Sequence, residues 1–373
     1  MYTIDNIHEF LREQRLVSNA SFMNGDYEAT SVTRRNRNIQ VTTLAEGNYL
    51  IKQALDPNSE NGKTLWTEIL FYNYLSENPS EFSGYAVSSR SIEGDGRLLV
   101  LDFLKDAKPL WQHYRSRGPD NLPFATIGAL GKLLAVFHRT FSLEGDRPVI
   151  PPAFLSRALP FGLQVNRPKP QIIGHIRQGG LQYLRSLQAD HDVMQQWEKT
   201  VAMWRHDAII HGDVKLDNIL VVGASGDSEG KGSTDIRLVD WELVQIGDRA
   251  WDVAGVFQDF VFWWAISMPE GLSAKEMVQQ AAFPIARLRP GIRCFWNAYR
   301  ENLPQLPSEQ VSFLQKAVLL SGIRILQTAY EVASKFENMP PIAEVLMGIG
   351  KSVLRKPEEA AESLFGIEPE VSS

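Results

Sequence analysis

The stretch Ile209-Ile210-His211-Gly212-Asp213-Val214-Lys215-Leu216-Asp217-Asn218-Ile219-Leu220 concentrates reactive side chains behind an apolar pair. Asn218 follows Asp213 by five residues, and a further acid stands downstream in Leu238-Val239-Asp240-Trp241-Glu242. Phosphoryl transfer needs such an inventory, because the transferred group is polyanionic and its catalysis is mostly positioning plus charge neutralisation. One carboxylate must accept or orient the proton of an attacking hydroxyl, and Asp213 fits that role. A hard oxygen set must hold Mg²⁺ against the phosphates, and Asn218 with Asp240 fits that one. The step from Asp213 to Asn218 lets one loop present both groups. At average residue usage H-G-D-x-x-x-x-N arises by chance in roughly one chain in a thousand of this length. Any one of these residues alone would read as a turn, cap or strand-end residue.

His211-Gly212-Asp213 with Asn218, then Asp240-Trp241-Glu242 and Gly247-Asp248-Arg249-Ala250-Trp251-Asp252, resembles the aminoglycoside phosphotransferase / choline kinase family. The resemblance runs from roughly residue 30 to 260 and is firmest from 209 to 252. It implies an α+β, bilobal, protein-kinase-like fold: a small N-terminal lobe with an antiparallel sheet and one key helix, then a larger, mostly helical lobe. It also implies ATP and Mg²⁺ as cofactors and a hydroxyl as acceptor. A strand lysine should hold the nucleotide phosphates and a helix glutamate should hold that lysine. Lys52 in Tyr49-Leu50-Ile51-Lys52-Gln53 and Glu68 in Leu65-Trp66-Thr67-Glu68-Ile69 match them. Backbone groups of Asp102, Phe103 and Leu104 fall where the hinge would meet adenine. His211 should organise the catalytic loop, and Glu242 is either an auxiliary metal group or structural. Asp248 and Asp252 should fix backbone amides, and His138 should be a packed structural residue. The glycine loop of protein kinases is absent. Ser31-Val-Thr-Arg-Arg-Asn-Arg-Asn38 stands there instead, with Asn38 as the polar loop residue. Arg34, Arg35 and Arg37 either supply charge to phosphates or form a solvated turn.

The elements that must position these groups follow from pattern. Residues 39–43 and 48–54 alternate as strands around a Glu46-Gly47-Asn48 turn. Residues 63–75 repeat at helical spacing, and 97–103 form a buried strand. Helices are expected over 127–141 and 192–204, a strand pair over 219–222 and 236–240, and helices after Asp252. Six prolines make 148–170 irregular. The reading divides the chain into a nucleotide-binding lobe, 1–104, and a catalytic and acceptor-binding lobe, 105–373. The aromatic run Phe257, Phe260, Phe262, Trp263, Trp264 is either core or, through Trp263 and Trp264, a wall of the acceptor pocket that binds a cation or flat group.

Composition sets the outer bounds. The chain has 373 residues, 44% of them hydrophobic, with a formal charge of −6 and one cysteine. Bulk disorder is excluded, as is an internal disulfide or a cysteine metal centre. The acidity argues against a nucleic-acid coat, and positive charge should gather at Arg34, Arg35, Arg37 and Lys52 to meet a nucleotide. The N-terminus lacks a signal-peptide pattern, and the apolar stretch 253–268 is too short and polar for a membrane span. A cytoplasmic location is expected. The acceptor stays open between a small molecule (an aminoglycoside, amino alcohol or sugar) and a Ser or Thr of a peptide. A binding module without catalysis is a third reading, disfavoured by the complete set of groups. Nine tryptophans leave room for an oligomer or partner interface.

Overall fold

The computed structural model describes residues 1–32, 37–90, 98–145, 148–169, 174, 176–223, 235–303 and 310–368, with the backbone alone at 37, 274 and 310–312. The chain divides into two compact units. The first comprises Met1–Pro109, Pro152–Leu155 and Asn218–Val244. The second comprises Leu110–Pro151, Ser156–Asp217 and Gln245–Ser373.

The first unit is built on an antiparallel sheet. Its strands lie in the order Tyr27–Ser31, Arg37–Thr43, Tyr49–Gln53, Leu98–Asp102, Ser89–Arg90. The alternation in the second and third strands decides its two faces. Ile39, Val41, Tyr49, Ile51 and Val100 form one face, which packs on Ile7, Phe10, Leu11 and Val17 from the N-terminal segment. The other face carries the row Asn38, Lys52, Leu99 and the row Gln40, Leu50, Leu101. The expected turn between these strands is pinned by side chains: Thr43 N–H donates to Asn48 Oδ1 and Glu46 N–H to Thr43 Oγ1.

The helix Glu60–Glu77 starts at Ser59, whose Oγ accepts from Gly62 N–H at 3.1 Å. Gly62 is required by space, because a Cβ there would lie 2.4 Å from Asp56 O. Leu65, Ile69, Tyr72 and Leu75 make its buried stripe, and Glu68 stands inside that stripe. A carboxylate among apolar residues at helical spacing marks a special position. A smaller sheet pairs Lys108–Pro109 with Ile219–Val221, and that strand with Ile236–Leu238.

The second unit is mostly helical. The helix Phe124–Thr140 packs on Ile285–Glu301, and Ala250–Ile266 packs on Gln310–Ala333, which also meets Pro341–Arg355. Gly131 permits the first of these contacts, since a Cβ would lie 2.4 Å from Phe295 O. Two short strands, Ala208–Ile210 and Gln245–Gly247, pair antiparallel and bracket residues 211–244 in sequence. Described residues of 148–170 contain no strand or α-helix, only the 3₁₀ turn Phe161–Gln164. Among the described residues, no helix is long and apolar enough to cross a membrane.

Candidate active site

In the first unit, Lys52 and Glu68 meet inside the protein. Lys52 Nζ lies 2.8 and 2.9 Å from the two Glu68 oxygens and 2.8 Å from Asp240 Oδ1. The three hydrogens of the ammonium thus have three carboxylate oxygens. Glu68 is fully buried, and Lys52 is 8% exposed. Burial alone would pull Lys52 down, but Glu68 and Asp240 outweigh it and hold the ammonium above its ordinary range. Asp240 adopts a left-handed backbone, φ 71°, which a non-glycine residue takes at a cost of about 1–3 kcal/mol. That bend follows the strand Ile236–Leu238 and precedes Trp241, whose N–H donates to Glu68 Oε1. Trp241 is buried, with Phe71 and Phe82 against its ring.

Asn218 lies at the same end of this ladder as Asp240, and its carbonyl accepts from Val239 N–H at 3.0 Å. Asn38 stands directly opposite Lys52 in the strand register, and its Oδ1 is buried without a hydrogen-bond partner among the described residues. Glu242 follows on the turn Trp241–Leu243 and is half-buried. At the expected hinge segment, Asp102 N–H donates to Ser88 O and Phe103 N–H to Asn48 O. The Asp102 carboxylate is held by Arg90 at 2.9 and 3.0 Å. Arg37 begins a strand opposite Gln53. Arg34 and Arg35 lie outside the described residues.

In the second unit, the loop around Asp213 is suspended from the helix Ala250–Ile266. Asp252 accepts His211 N–H at 2.8 Å and Gly212 N–H at 3.0 Å. It also meets His138 Nε2 at 3.2 Å, and His138 Nδ1 meets the Tyr299 hydroxyl at 2.9 Å. One turn along, Gly255 lets the helix approach Val214 O, where a Cβ would stand at 2.6 Å. Another turn on, Asp259 accepts Leu216 N–H at 2.7 Å, and burial pushes its carboxyl up to about 6. Residues 252, 255, 259 and 263 share one helix face, so Trp263 comes next on the face that carries the loop. Trp263 is half-buried and stacks on Trp111 at 5.1 Å, while Trp264 is buried. Gly212 supplies the loop's left-handed step, φ 83°.

Asp213 itself is half-buried. Its N–H donates to His211 Nδ1 at 3.2 Å, its Oδ2 accepts Lys215 Nζ at 2.6 Å, and Arg324 Nη2 stands 3.8 Å from its Oδ1. Asp248 accepts Arg205 and Ala250 N–H and pairs with Lys316. Asp248 and Asp252 therefore do fix backbone amides, and His138 is packed and wholly buried. Lys52, Glu68, Asp240, Asn38 and Asn218 thus fall in one unit, and Asp213 and His211 in the other. Lys215, Arg324 and Trp111 are additions that the sequence reading did not single out. Lys215 lies inside the His211–Asn218 motif, whereas Arg324 carries no local signal.

The acid limb of the stability curve tests the suspension. Burial would raise the Asp252 carboxyl, but the His138 hydrogen bond, the nearby histidines and the His211 N–H outweigh it and lower the group below its ordinary 3.8. A depressed carboxyl stabilises the fold above its unfolded value, and that contribution fades as pH falls through the folded value. Asp252→Asn should therefore cost about 3 kcal/mol near neutral pH, through weakened charge-assisted hydrogen bonds. Thermal unfolding from pH 7 to 3 should show the gap to wild type closing below about pH 4. A gap that widens with acid would contradict this account.

A two-unit chain with a buried lysine–glutamate pair and a suspended His-Gly-Asp loop defines a phosphotransferase of protein-kinase-like fold. The chain belongs to the phosphotransferase enzyme family, APH, whose profile matches residues 29–290. It is accordingly an enzyme, one that transfers a phosphoryl group to a hydroxyl acceptor. Among solved structures it is similar to the choline kinase LicA from Streptococcus pneumoniae. Identity is 12%, with 94% of this chain and 98% of that chain covered, at a TM-score of 0.50. It is also similar to APH(2")-IIia in its GDP and kanamycin complex, at 13% identity, 93% and 98% coverage and TM-score 0.46. The macrolide 2'-phosphotransferase MphH from Brachybacterium faecium follows, at 14%, 92% and 98%, and 0.44. At 12% identity the likeness to LicA concerns the fold alone. No curated protein matches the sequence.

Proposed function

We propose that this phosphotransferase uses ATP and Mg²⁺ and moves the γ-phosphoryl group to a hydroxyl of a small molecule. The observation that carries the reading is the three-way contact of Lys52 with Glu68 and Asp240. A lysine fixed by a buried glutamate presents a defined charge to a nucleotide phosphate, and Asn38 stands beside it on the same face. We assign nucleotide binding to residues 1–104 and acceptor binding and catalysis to 105–373, from which Asn218 and Asp240 supply the metal ligands. At the hinge the Asp102 and Phe103 N–H groups already have partners, so adenine would be met by Leu104 N–H and by carbonyls of this segment.

The donor set fits Mg²⁺. Asn218 and Asp240 offer an amide and a carboxylate oxygen from one end of one ladder. Among the described residues, no group of three His, Cys, Asp or Glu forms a closed metal cage. Mg²⁺ is commonly held by one or two protein oxygens plus phosphates and water. When bound, it would neutralise phosphate charge. Asp213 orients the acceptor hydroxyl and receives its proton, His211 holds the Asp213 backbone, and Glu242 stands by as an auxiliary group. The Trp111–Trp263 stack favours an acceptor with a flat or cationic part.

The test is mass-spectrometric detection of a product 80 Da heavier, an HPO₃ addition of about that mass, across a library of amino alcohols, sugars and aminoglycosides together with cell extract. A phosphorylated small molecule is expected. Products confined to serine- or threonine-containing peptides would overturn the small-molecule assignment.

A further inference from the structure

Arg324 lies on the helix Gln310–Ala333, beyond the segment 29–290 that the family profile matches. Its side chain reaches back to the catalytic loop. The guanidinium carbon sits 4.7 Å from the centroid of the Trp251 ring. Nη1 lies 3.4 Å from Gly212 O, and Nη2 lies 3.8 Å from Asp213 Oδ1. Trp251 is itself tied to that loop, because its Nε1–H donates to Gly212 O at 2.9 Å. Gly255 leaves the space, since a Cβ there would come within 3.3 Å of the guanidinium.

Arg324 is 7% exposed, and its Nε has no hydrogen-bond partner among the described residues. A guanidinium has five N–H donors in a planar fork. Here a nearly buried one makes a single long hydrogen bond among the described residues. Burying a cation this way costs several kcal/mol unless a further partner satisfies it. An arginine whose purpose was to hold Asp213 would sit fork-to-fork at about 2.7–2.9 Å. The 3.8 Å offset and the unmatched Nε indicate that a third group belongs there. The fork matches phosphate oxygens, and the neighbour is the carboxylate proposed to hold the acceptor hydroxyl.

We propose that Arg324 is a catalytic residue that donates to a non-bridging oxygen of the phosphoryl group during its transfer. The inference rests on the proposed kinase reading. In the step, the bond between the γ-phosphorus and the β–γ bridging oxygen breaks, and ADP leaves with the electron pair. The acceptor oxygen forms the new P–O bond, and its proton passes to Asp213. Arg324 exchanges no atoms; it stabilises charge on the moving group.

The experiment measures slow Mg–ATP hydrolysis, with water as acceptor, in wild type, Arg324→Ala and Arg324→Lys, beside nucleotide affinity and melting temperature. Arg324→Ala should lose about a hundredfold in turnover, as for removal of one transition-state donor. Its ATP affinity should stay within about threefold of wild type, since the contact forms during transfer. Arg324→Lys should lose nearly as much, because a point charge lacks the fork. Added guanidinium ion should restore part of the Arg324→Ala turnover, which a merely structural arginine would not allow. Binding of ADP with aluminium fluoride, a mimic of the moving phosphoryl group, should fail in both variants. Unchanged hydrolysis in Arg324→Ala, or a loss that guanidinium does not relieve and that tracks a lowered melting temperature, overturns the inference alone. A wild-type protein that neither binds nor hydrolyses ATP overturns the kinase reading and this inference together.

Discussion

Asp213→Asn should slow phosphoryl transfer about a thousandfold, within the range measured for loss of a general base, and leave Mg–ATP affinity within about threefold. The substitution keeps size and shape, so the Asp213 N–H bond to His211 Nδ1 and the suspension from Asp252 survive. What changes is the ability to draw a proton from a hydroxyl. An amide oxygen is a weaker acceptor, and an amide nitrogen is none. The Lys215 ammonium now 2.6 Å from Oδ2 would lose this carboxylate contact as well. Asp240→Asn should fail differently. Asp240 holds Lys52 and is the assigned metal ligand, so its loss should first show as weakened, magnesium-dependent nucleotide binding. Turnover and nucleotide affinity measured on both variants separate the roles. If Asp213→Asn weakens binding while Asp240→Asn spares it, the two assignments are reversed.

How much of this was legible in the sequence follows the distance along the chain. Asp213 and Asn218 stand in one short segment, so their motif shows in spacing alone. The strands around Gly47 showed because period-two alternation and a turn are local signals. Glu68 is a different case. Its place in the stripe of Leu65, Ile69 and Tyr72 marks it as anomalous only once the burial of that stripe is known. Asp252 was readable as a backbone cap by its type, but not its two N–H donors in the loop around Asp213 or the His138–Tyr299 pair behind it. Those contacts depend on how helices distant in sequence pack. The same holds for Trp111 against Trp263, and for the N-terminal segment that covers one face of the sheet. Arg324 marks the limit: an arginine on an amphipathic helix reads as solvated, and its burial against Trp251 is purely tertiary. The hairpin strands 219–221 and 236–238 were visible, yet nothing local shows that they form one compact unit with the N-terminal sheet.

Lys52→Met should destabilise the fold by about 3–5 kcal/mol, the usual cost of stripping one partner from a buried ion pair. Glu68 has no exposed surface, and its remaining donor in view, Trp241 N–H, stands at 3.3 Å. Without the ammonium, Glu68 must either keep a buried, uncompensated charge or take up a proton. Burial already pushes its carboxyl up from 4.5 with the lysine present, so in the variant the neutral form becomes the favoured one. The sign of the pH dependence follows. A carboxyl whose folded value exceeds its unfolded value costs nothing in acid, and the penalty grows as pH rises from about 4.5 to the folded value. The deficit of Lys52→Met against wild type should therefore be larger at pH 8 than at pH 5. Replacing both partners, Lys52→Met with Glu68→Leu, removes the stranded charge and should recover most of the stability, because apolar pairs often substitute for buried ion pairs. The double variant should still bind Mg–ATP poorly, since the charge proposed to meet the phosphates is gone. Denaturant titrations at the two pH values and nucleotide titration of both variants read these effects separately. A double variant that regains nucleotide affinity along with stability would show that Lys52 holds the fold and not the nucleotide.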